Sequence, residues 1–503
     1  MFWPLLLLAA AIALAQYAWR RRPLYEFARK YPLGIPTYPL IGQSYIFAGT
    51  DEDRMNAFIK MGYKALQNGG TSSLWLGPKL YAVISEPELL EVVSKTCLEK
   101  DSMTMKFLRL ILGNGLIFAP VKIWRPRRKI MAPTFSMKNL HEFVTVFDKQ
   151  SRFMVSQLRA HDGGGDFSFW EYVTSYTFDA ICETVLGMEL NAQKERHHLF
   201  IEAFDVIIQI LSKRMLSPWL YWDWVFRLTS NYKPFIEQRT KGYAFFDKII
   251  SDRRRELAEQ GTDYDPKDRN RTFLDMMILA PGGYTDIELR EEIISIVCAG
   301  TDTSAVGTAF VALMLSRYPR VQDKVYEELQ EVFGGSDRPV TWQDLPRLKY
   351  MEAVIKETLR LYPPAPVVVR DVHETVALPN GATLRPGMAL ILHFWAAHRD
   401  TKYWGDDVEQ FRPERFLEGP LKHPAQFVAF SYSQRNCIGG NYAIMSTKTN
   451  LSNLLRRYEV LPPLSVPPDQ LLAPFRVKFD VMMKHCDNFE LRIRSRHNGQ
   501  RKK

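Results

Sequence analysis

The stretch FSYSQRNCIGG, residues 430–440, sets one cysteine, Cys437, between Arg435 and the pair Gly439 and Gly440. A lone cysteine in a globular chain ordinarily behaves as a small buried hydrophobe. Its surroundings here argue for chemistry. Positive charge such as Arg435 and free backbone N–H groups lower the pKa of a thiol, and the arginine can equally pair with an anion beside a metal. Gly439 and Gly440 let the backbone approach a flat group closely. The run NYAIMSTKTNLSNLLRRY that follows reads as a helix, whose N-terminal dipole favours a negative sulfur.

One cysteine cannot hold an iron–sulfur cluster, but it can be the single axial ligand of a haem. The other cysteines, Cys97, Cys182, Cys298 and Cys486, are far apart and form no CxxC pair. That excludes a disulfide framework and a zinc site of common spacing, and it fits a reducing, cytosol-facing compartment. The 503 residues, 46% hydrophobic, are enough for a large core. A formal charge of +10 could suggest nucleic acid, but nine basic residues sit in two terminal clusters, at 20–22 and 492–503. The body between is close to neutral, and no nucleic-acid partner is expected.

Residues 2–19, FWPLLLLAAAIALAQYAW, are apolar apart from Gln16. As a helix they span about 27 Å, nearly a bilayer core. A cleaved signal peptide competes with this reading, because Ala13-Leu14-Ala15 resembles a cleavage site. Against it, no charge precedes the run, and Arg20, Arg21 and Arg22 behind it hold the downstream chain in the cytosol. The expected organisation is a membrane anchor with a basic stop over residues 1–22, an extended hinge over 23–42 carrying Pro32, Pro36 and Pro39, a body over 43–495 and a basic tail over 496–503.

Within the body, long helical patterns dominate, at 291–317 and 320–332, and the first is apolar almost all round. Short β-rich pieces lie near 72–85, 367 and 377–392. The charged stretch from Ser251 reads as a helix end and a solvated loop. The fold class predicted is mainly α with a smaller β portion.

Three further motifs carry chemistry. In CAGTDTS, residues 298–304, Gly300 leaves room for a planar group, while Asp302 and Thr303 set an acid beside an alcohol. Threonine can also bond the carbonyl one turn back, so a simple helix bend is the plainer reading of this step. In KETLRLYPPAP, Glu357 and Arg360 share one helix face; such a pair is worth little when exposed and locks structure when buried. His398-Arg399-Asp400 spells a kinase HRD, but Gly405 stands where the asparagine belongs and no glycine-rich phosphate loop precedes it.

Together these motifs resemble the cytochrome P450 family, specifically its microsomal haem-thiolate monooxygenases. FxxGxRxCxG is matched by Phe430, Arg435, Cys437 and Gly439, AGxDT[ST] by residues 299–304, ExxR by Glu357 and Arg360, and WxxxR by Trp124 and Arg128. FRPERF, residues 411–416, resembles the segment whose arginine, Arg412 or Arg415, completes the ExxR lock. The motifs run in family order over residues 30–490, and RNCIGG leans toward the family-4-like branch, which includes fatty-acid hydroxylases and many arthropod enzymes.

The resemblance implies the cytochrome P450 fold, with haem b held non-covalently on Cys437 as axial thiolate. Its propionates would be held by Trp124, Arg128, Arg370 and Arg435, with Gly439, Ala299 and Gly300 against the cofactor. Asp302 and Thr303 would relay protons while one oxygen atom of O2 enters a lipophilic substrate: a fatty acid, hydrocarbon, hormone or xenobiotic. Residues 105–118, the central helix and residues 365–369 would form the substrate pocket. Electrons would come from NADPH–cytochrome P450 reductase, with cytochrome b5 as a further partner, near Lys122, Arg125, Arg127, Lys129 and Lys448. The implied location is the endoplasmic reticulum membrane, with the catalytic domain facing the cytosol. Rival readings are a haem-thiolate peroxide isomerase or dehydratase, and a catalytically weakened, membrane-anchored binding protein.

Three positions depart from the family pattern. Ser433 replaces a glycine, which strains the loop if φ is positive there. Pro126 lies within WxxxR and is comfortable only in a first helical turn, so a later helix start is expected. Ala299 stands where many family-4-like enzymes carry a glutamate that becomes ester-linked to haem, so no covalent attachment is expected.

Overall fold

Apolar residues on nearly every face leave the central segment no solvent side, and it forms the helix Asp286–Arg317 through the middle of the protein. Thr285 caps it in a reciprocal box with Glu288. Helices Phe169–Ile181, Tyr232–Glu259, Lys349–Leu361 and Gly440–Arg457 pack against it. The computed structural model describes residues 2–195, 198–261 and 272–496. The helix end expected after Ser251 is present, whereas the solvated loop at 262–271 and nearly all of the basic tail lie outside the described residues.

The expected strands build one four-stranded sheet. Thr71–Leu76 pairs antiparallel with Lys79–Ile84, which pairs parallel with Ala389–Leu392, and that strand takes Val368–Asp371 antiparallel on its other edge. The hairpin of Val477–Asp480 with Met482–His485, and a sheet of Phe167–Ser168, Glu490–Ser495 and Tyr458–Leu461, have no counterpart among the expected strands.

Among the described residues two helices are long and apolar enough to cross a membrane, Trp3–Lys30 and Asp286–Arg317. The second is the core helix, and 83% of its most apolar 18-residue stretch is buried, whereas none of the corresponding stretch of the first is. The N-terminal helix does not end at residue 22: it runs Phe2–Lys30 through Pro23. Proline removes one helix hydrogen bond, here to the exposed turn of Trp19, where water can replace it. Phe27 is buried in the same apolar cluster as Trp75 and Leu80. The extended connector therefore narrows to residues 31–42, pinned to the sheet by bridges from Pro32 to Ser73 and from Gly42 to Leu76.

The helix with Trp124 also departs from expectation. It spans Val121–Met131, so Pro126 is its sixth residue rather than part of a late first turn. Pro126 is exposed, and so is Lys122, whose carbonyl it leaves without a helix partner.

Glu357 and Arg360 are fully buried and paired twice, at 2.7 and 2.8 Å. The Arg415 guanidinium reaches the same carboxylate at 2.9 Å. Arg412 supplies only its backbone N–H, also at 2.9 Å, because its side chain turns to Asp407 and Glu418. Arg360 further donates to the carbonyls of His398 and Val408. Removing the acid of such a buried pair leaves its cations uncompensated, at a cost of about 3–5 kcal/mol. Glu357→Ala should therefore yield little folded protein, whereas Arg412→Ala should cost under about 1 kcal/mol, as for exposed pairs. Equal loss of folded protein in the two variants would assign the lock to Arg412.

The loop before Cys437 contains the strain expected of Ser433, whose φ is +64°, and Ser431 stands at +62°. Left-handed backbone costs a side-chain-bearing residue about 1–2 kcal/mol, and glycine returns part of that gain through unfolded-state entropy. Ser433→Gly should leave the unfolding midpoint unchanged or raise it by up to about 1 kcal/mol equivalent. A clear drop in a thermal melt would mean that the serine hydroxyl makes a bond worth more than the strain.

Candidate functional site

The loop closes when the Cys437 N–H donates to the Phe430 carbonyl, 2.8 Å away, and Ser433–Arg435 completes a tight turn. Gly439 caps the helix Gly440–Arg457, and a Cβ on Gly439 would meet nothing nearer than 4.0 Å. Cys437 retains accessible surface, yet its thiol is enclosed by protein: that surface faces an internal cavity of 350 Å³. Burial pushes the thiol pKa up, opposed by the Gly439 N–H and the charge of Arg128. Arg435, open from sequence to two roles, cation for this sulfur or partner of an anion beside the metal, turns its side chain from the sulfur. Its guanidinium lies 4.4 Å over the buried Trp124 ring and donates to the Ala119 carbonyl at 2.6 Å.

One end of the cavity gathers positive charge. Lys100, Arg128, Arg370 and Arg435 line it together with Trp124. Arg128 donates to the carbonyl and side-chain oxygens of Asn436, both at 2.9 Å. Arg370 is bonded to its neighbour's carbonyl at Val369, and burial drives its pKa down to about 10. Burial, and then the like charge of Arg370, bring Arg435 to about 9, and its Nε has no partner. Lys100 keeps some accessible surface, but this too opens on the cavity, and burial with the same two arginines holds it well below an ordinary lysine. Among the described residues none of these four cations has a carboxylate at ion-pair distance. Buried cations without a counter-charge are costly, so the end of the cavity is built for an anionic group. A haem with two propionates, its iron on Cys437, fits this donor set.

Across the cavity lie Ala299, Gly300, Asp302 and Thr303 of the central helix. Thr303 Oγ1 donates to the Ala299 carbonyl one turn back at 2.6 Å. Gly300 borders the cavity, but its missing side chain has a second cause: a Cβ there would lie 2.7 Å from Ile181 of the neighbouring helix. Asp302 is 5% exposed and pairs with Lys484 of the C-terminal hairpin at 2.9 Å. The apolar lining includes Leu108, Leu112, Leu116 and Phe118 from the expected 105–118 segment, and Ala365 and Val368 from 365–369. It also includes Phe204 and Ile208 of helix Leu199–Leu216, and the hairpin tip Val481 and Met482. Sequence reading missed these, together with Lys100 and Lys484. A single lysine or an apolar helix face carries no local signal of what it faces.

Two residues expected on a docking face are buried instead. Arg127 pairs with Glu292 and Glu288 at 2.7 and 2.9 Å, and Lys448 pairs with Glu352 at 2.6 Å. Lys122, Arg125 and Lys129 are exposed.

The family model described as Cytochrome P450 matches residues 32–484. Cytochrome P450 4d2 of Drosophila melanogaster is 32% identical over 91% of this chain and 93% of its own length. Cytochrome P450 4V2 of Homo sapiens is 32% identical over 86% and 85%, and Cytochrome P450 4c21 of Blattella germanica 33% over 84% and 86%. A cysteine-bearing loop under a buried central helix, an anion-seeking end and a family match over most of the chain agree: this protein belongs to the cytochrome P450 family and is a P450 monooxygenase, an oxidoreductase.

Proposed function

We propose that the chain is a membrane-anchored enzyme that inserts one oxygen atom of O2 into a C–H bond of a lipophilic substrate, with electrons from an NADPH-dependent reductase. The observation that carries this reading is the two-ended cavity: Cys437 and unpaired cations at one end, apolar side chains with Thr303 and Asp302 at the other. Cys437 would hold haem through its thiolate, and the cofactor so held would supply activation of dioxygen. Arg128, Arg370, Arg435 and Trp124 would hold its propionates, joined by Lys100.

The remaining work falls to the distal residues. The Thr303 hydroxyl, now donating to Ala299, can re-aim into the cavity that it lines and hold or pass a proton at Oγ1. Asp302 beside it exchanges protons at its carboxylate. Leu108, Leu112, Phe204 and Ile208 exclude water and orient an apolar chain or ring, which a fatty acid, hydrocarbon, hormone or xenobiotic each offers. The relatives numbered 4d2, 4V2 and 4c21 support a family-4-like branch. The apolar helix from Trp3, followed by Arg20, Arg21 and Arg22, suits an endoplasmic reticulum membrane with the body in the cytosol. Lys122, Arg125 and Lys129 offer a basic face to the reductase and to cytochrome b5.

Reduced protein treated with carbon monoxide should show the thiolate band, Cys437→Ala should lose it, and reductase with NADPH should drive product formation. The band without NADPH-dependent turnover would favour the peroxide isomerase or the binding protein. A band surviving in Cys437→Ala would overturn the ligand assignment.

Attachment of the cofactor gives a second test. Ala299 has no oxygen with which to form an ester, and the nearest carboxylate of the motif, Asp302, is engaged by Lys484. Haem should therefore leave the polypeptide intact in acidified organic solvent, and the protein fraction should carry no haem absorbance. Haem retained on the chain after that treatment would identify a covalent attachment.

A further inference from the structure

Lys484 is a lysine with three carboxylates around it. It is 5% exposed, and its Nζ lies 2.9 Å from Asp302, 3.6 Å from Asp480 and 3.9 Å from Asp205. The partners come from three elements: the central helix, the C-terminal hairpin and helix Leu199–Leu216. The ammonium also sits 4.9 Å over the Trp170 ring of helix Phe169–Ile181. Lys478 of the hairpin and Asp51 of helix Asp51–Gln67 complete the charges that face the cluster. Asp480 Oδ1 is buried and has no partner. The hairpin turns on Val481, a β-branched residue held at φ +58°, where such residues are outliers. Val481 and Met482 line the cavity, and Lys484 follows two residues after Met482 on the same strand.

From this geometry we infer that Lys484 is a positioning residue: it holds the Asp302 carboxylate away from Thr303, and an occupant of the cavity that displaces the hairpin tip releases it for proton delivery. The inference rests on the monooxygenase reading above and adds to it a control on the proton relay. The cluster has the charge balance that such a latch needs. Burial opposes a charged lysine, but Asp302, Asp480 and Asp205 together outweigh burial and keep Lys484 protonated. Burial in turn raises Asp480, and raises Asp205 to about 6, so Asp205 takes up a proton as the pH falls toward 6. Asp205, with a side chain 35% exposed, is the member that meets solvent. A proton that leaves Asp302 for the cavity is replaced from Asp205 or Asp480, and theirs from water, with no change in the oxidation state of any group.

The test compares full-length Lys484→Met, Lys484→Arg and the double variant Lys484→Met with Asp302→Asn. Without the ammonium, Asp480 and Asp205, both already raised by burial, have folded-state pKa values raised further above the unfolded value of about 3.9. Stability from a raised carboxyl is present below the unfolded pKa and lost as pH rises through the folded one. The thermal-midpoint deficit of Lys484→Met should therefore be at least about twice as large at pH 8 as at pH 5.5. The double variant should recover part of it, and Lys484→Arg most of it. This arm needs no turnover, and Lys484→Met that fails to accumulate while the double variant does gives the same answer.

The second arm reads function. With reductase, NADPH and lauric acid as probe, Lys484→Met should send at least about threefold more electrons to hydrogen peroxide than the parent, because an acid released before the occupant is seated delivers protons out of order, with Lys484→Arg restoring the parent's partition. A deficit independent of pH, or a double variant no better than Lys484→Met, overturns the pairing. An unchanged peroxide share, or Lys484→Arg as impaired as Lys484→Met, overturns the positioning role. Absence of NADPH use or of the thiolate band in the parent itself sinks the monooxygenase reading, and the mechanistic half of the inference with it, while the stability arm still decides the pairing.

Discussion

A single carboxylate, that of Glu357, fixes the frame in which the cavity is held. It is wholly buried and accepts from two guanidinium groups and one backbone N–H. A charge in that position is tolerable only when every bond is made, so the three chain segments that meet there have one mutual placement. The effect reaches the cysteine loop through one more residue. The Arg360 carbonyl is bonded by His398 Nδ1 at 3.1 Å, and His398 Nε2 accepts from the Val428 N–H at 2.9 Å. Burial, with Arg360 and Arg399 nearby, keeps that imidazole neutral, as a ring that donates at one nitrogen and accepts at the other must be. Val428 lies two residues before Phe430, whose carbonyl closes the loop on Cys437. The HRD triplet that imitates a kinase motif is thus a structural link between the buried ion network and the haem loop.

The contrast between that network and the cation-rich end of the cavity is informative. Both are buried and both are rich in arginine. Around Glu357 each guanidinium has its acid; around Arg370 and Arg435 the described residues supply none at ion-pair distance, and Glu99 acts on Arg435 only from further off. A protein that neutralises one set of arginines and leaves another bare has kept the second for a ligand. Lys100 belongs to the bare set although no motif marks it, and its placement beside Arg370 and Arg435 is visible only once residues 99–101 and 368–371 come together at the sheet edge, where the Asp371 N–H donates to the Glu99 carbonyl at 2.9 Å.

What the sequence makes legible follows from the range of each constraint. Cys437, the ExxR pair, the acid–alcohol step and the strained Ser433 are local patterns, and the structure sets all of them in or near one cavity. The N-terminal helix runs past the expected boundary at residue 22 because a proline in an exposed helix turn, Pro23, does not stop it. Pro126 misleads in the same way, since it and Lys122 one turn earlier are both exposed. Arg127 and Lys448 look like surface charge, but each finds a buried acid far away in sequence, Glu292 and Glu352. Gly300 is legible as a place needing room, yet part of what fills the room is Ile181 rather than a cofactor.

The C-terminal hairpin is the least legible part and closes the distal side. Its residues read as an ordinary terminal segment, and nothing in KFDVMMKH forecasts contact with a helix nearly two hundred residues earlier. The reason lies in the acid of the relay. Asp302 stands beside the alcohols Thr301, Thr303 and Ser304 on the central helix, nearly sealed from water, where a lone charge is costly. Lys484 supplies the missing charge, and the Ser212 hydroxyl, donating to the Phe479 carbonyl at 3.1 Å, ties the hairpin to helix Leu199–Leu216. A two-stranded hairpin has little stability of its own, and this one is fixed by burying Val477, Phe479 and Met483 in the main core and by the Met483 N–H, which donates to the Pro364 carbonyl at 2.8 Å. The cation that faces Asp302 is therefore placed by packing that is separate from the Glu357 network that holds Cys437.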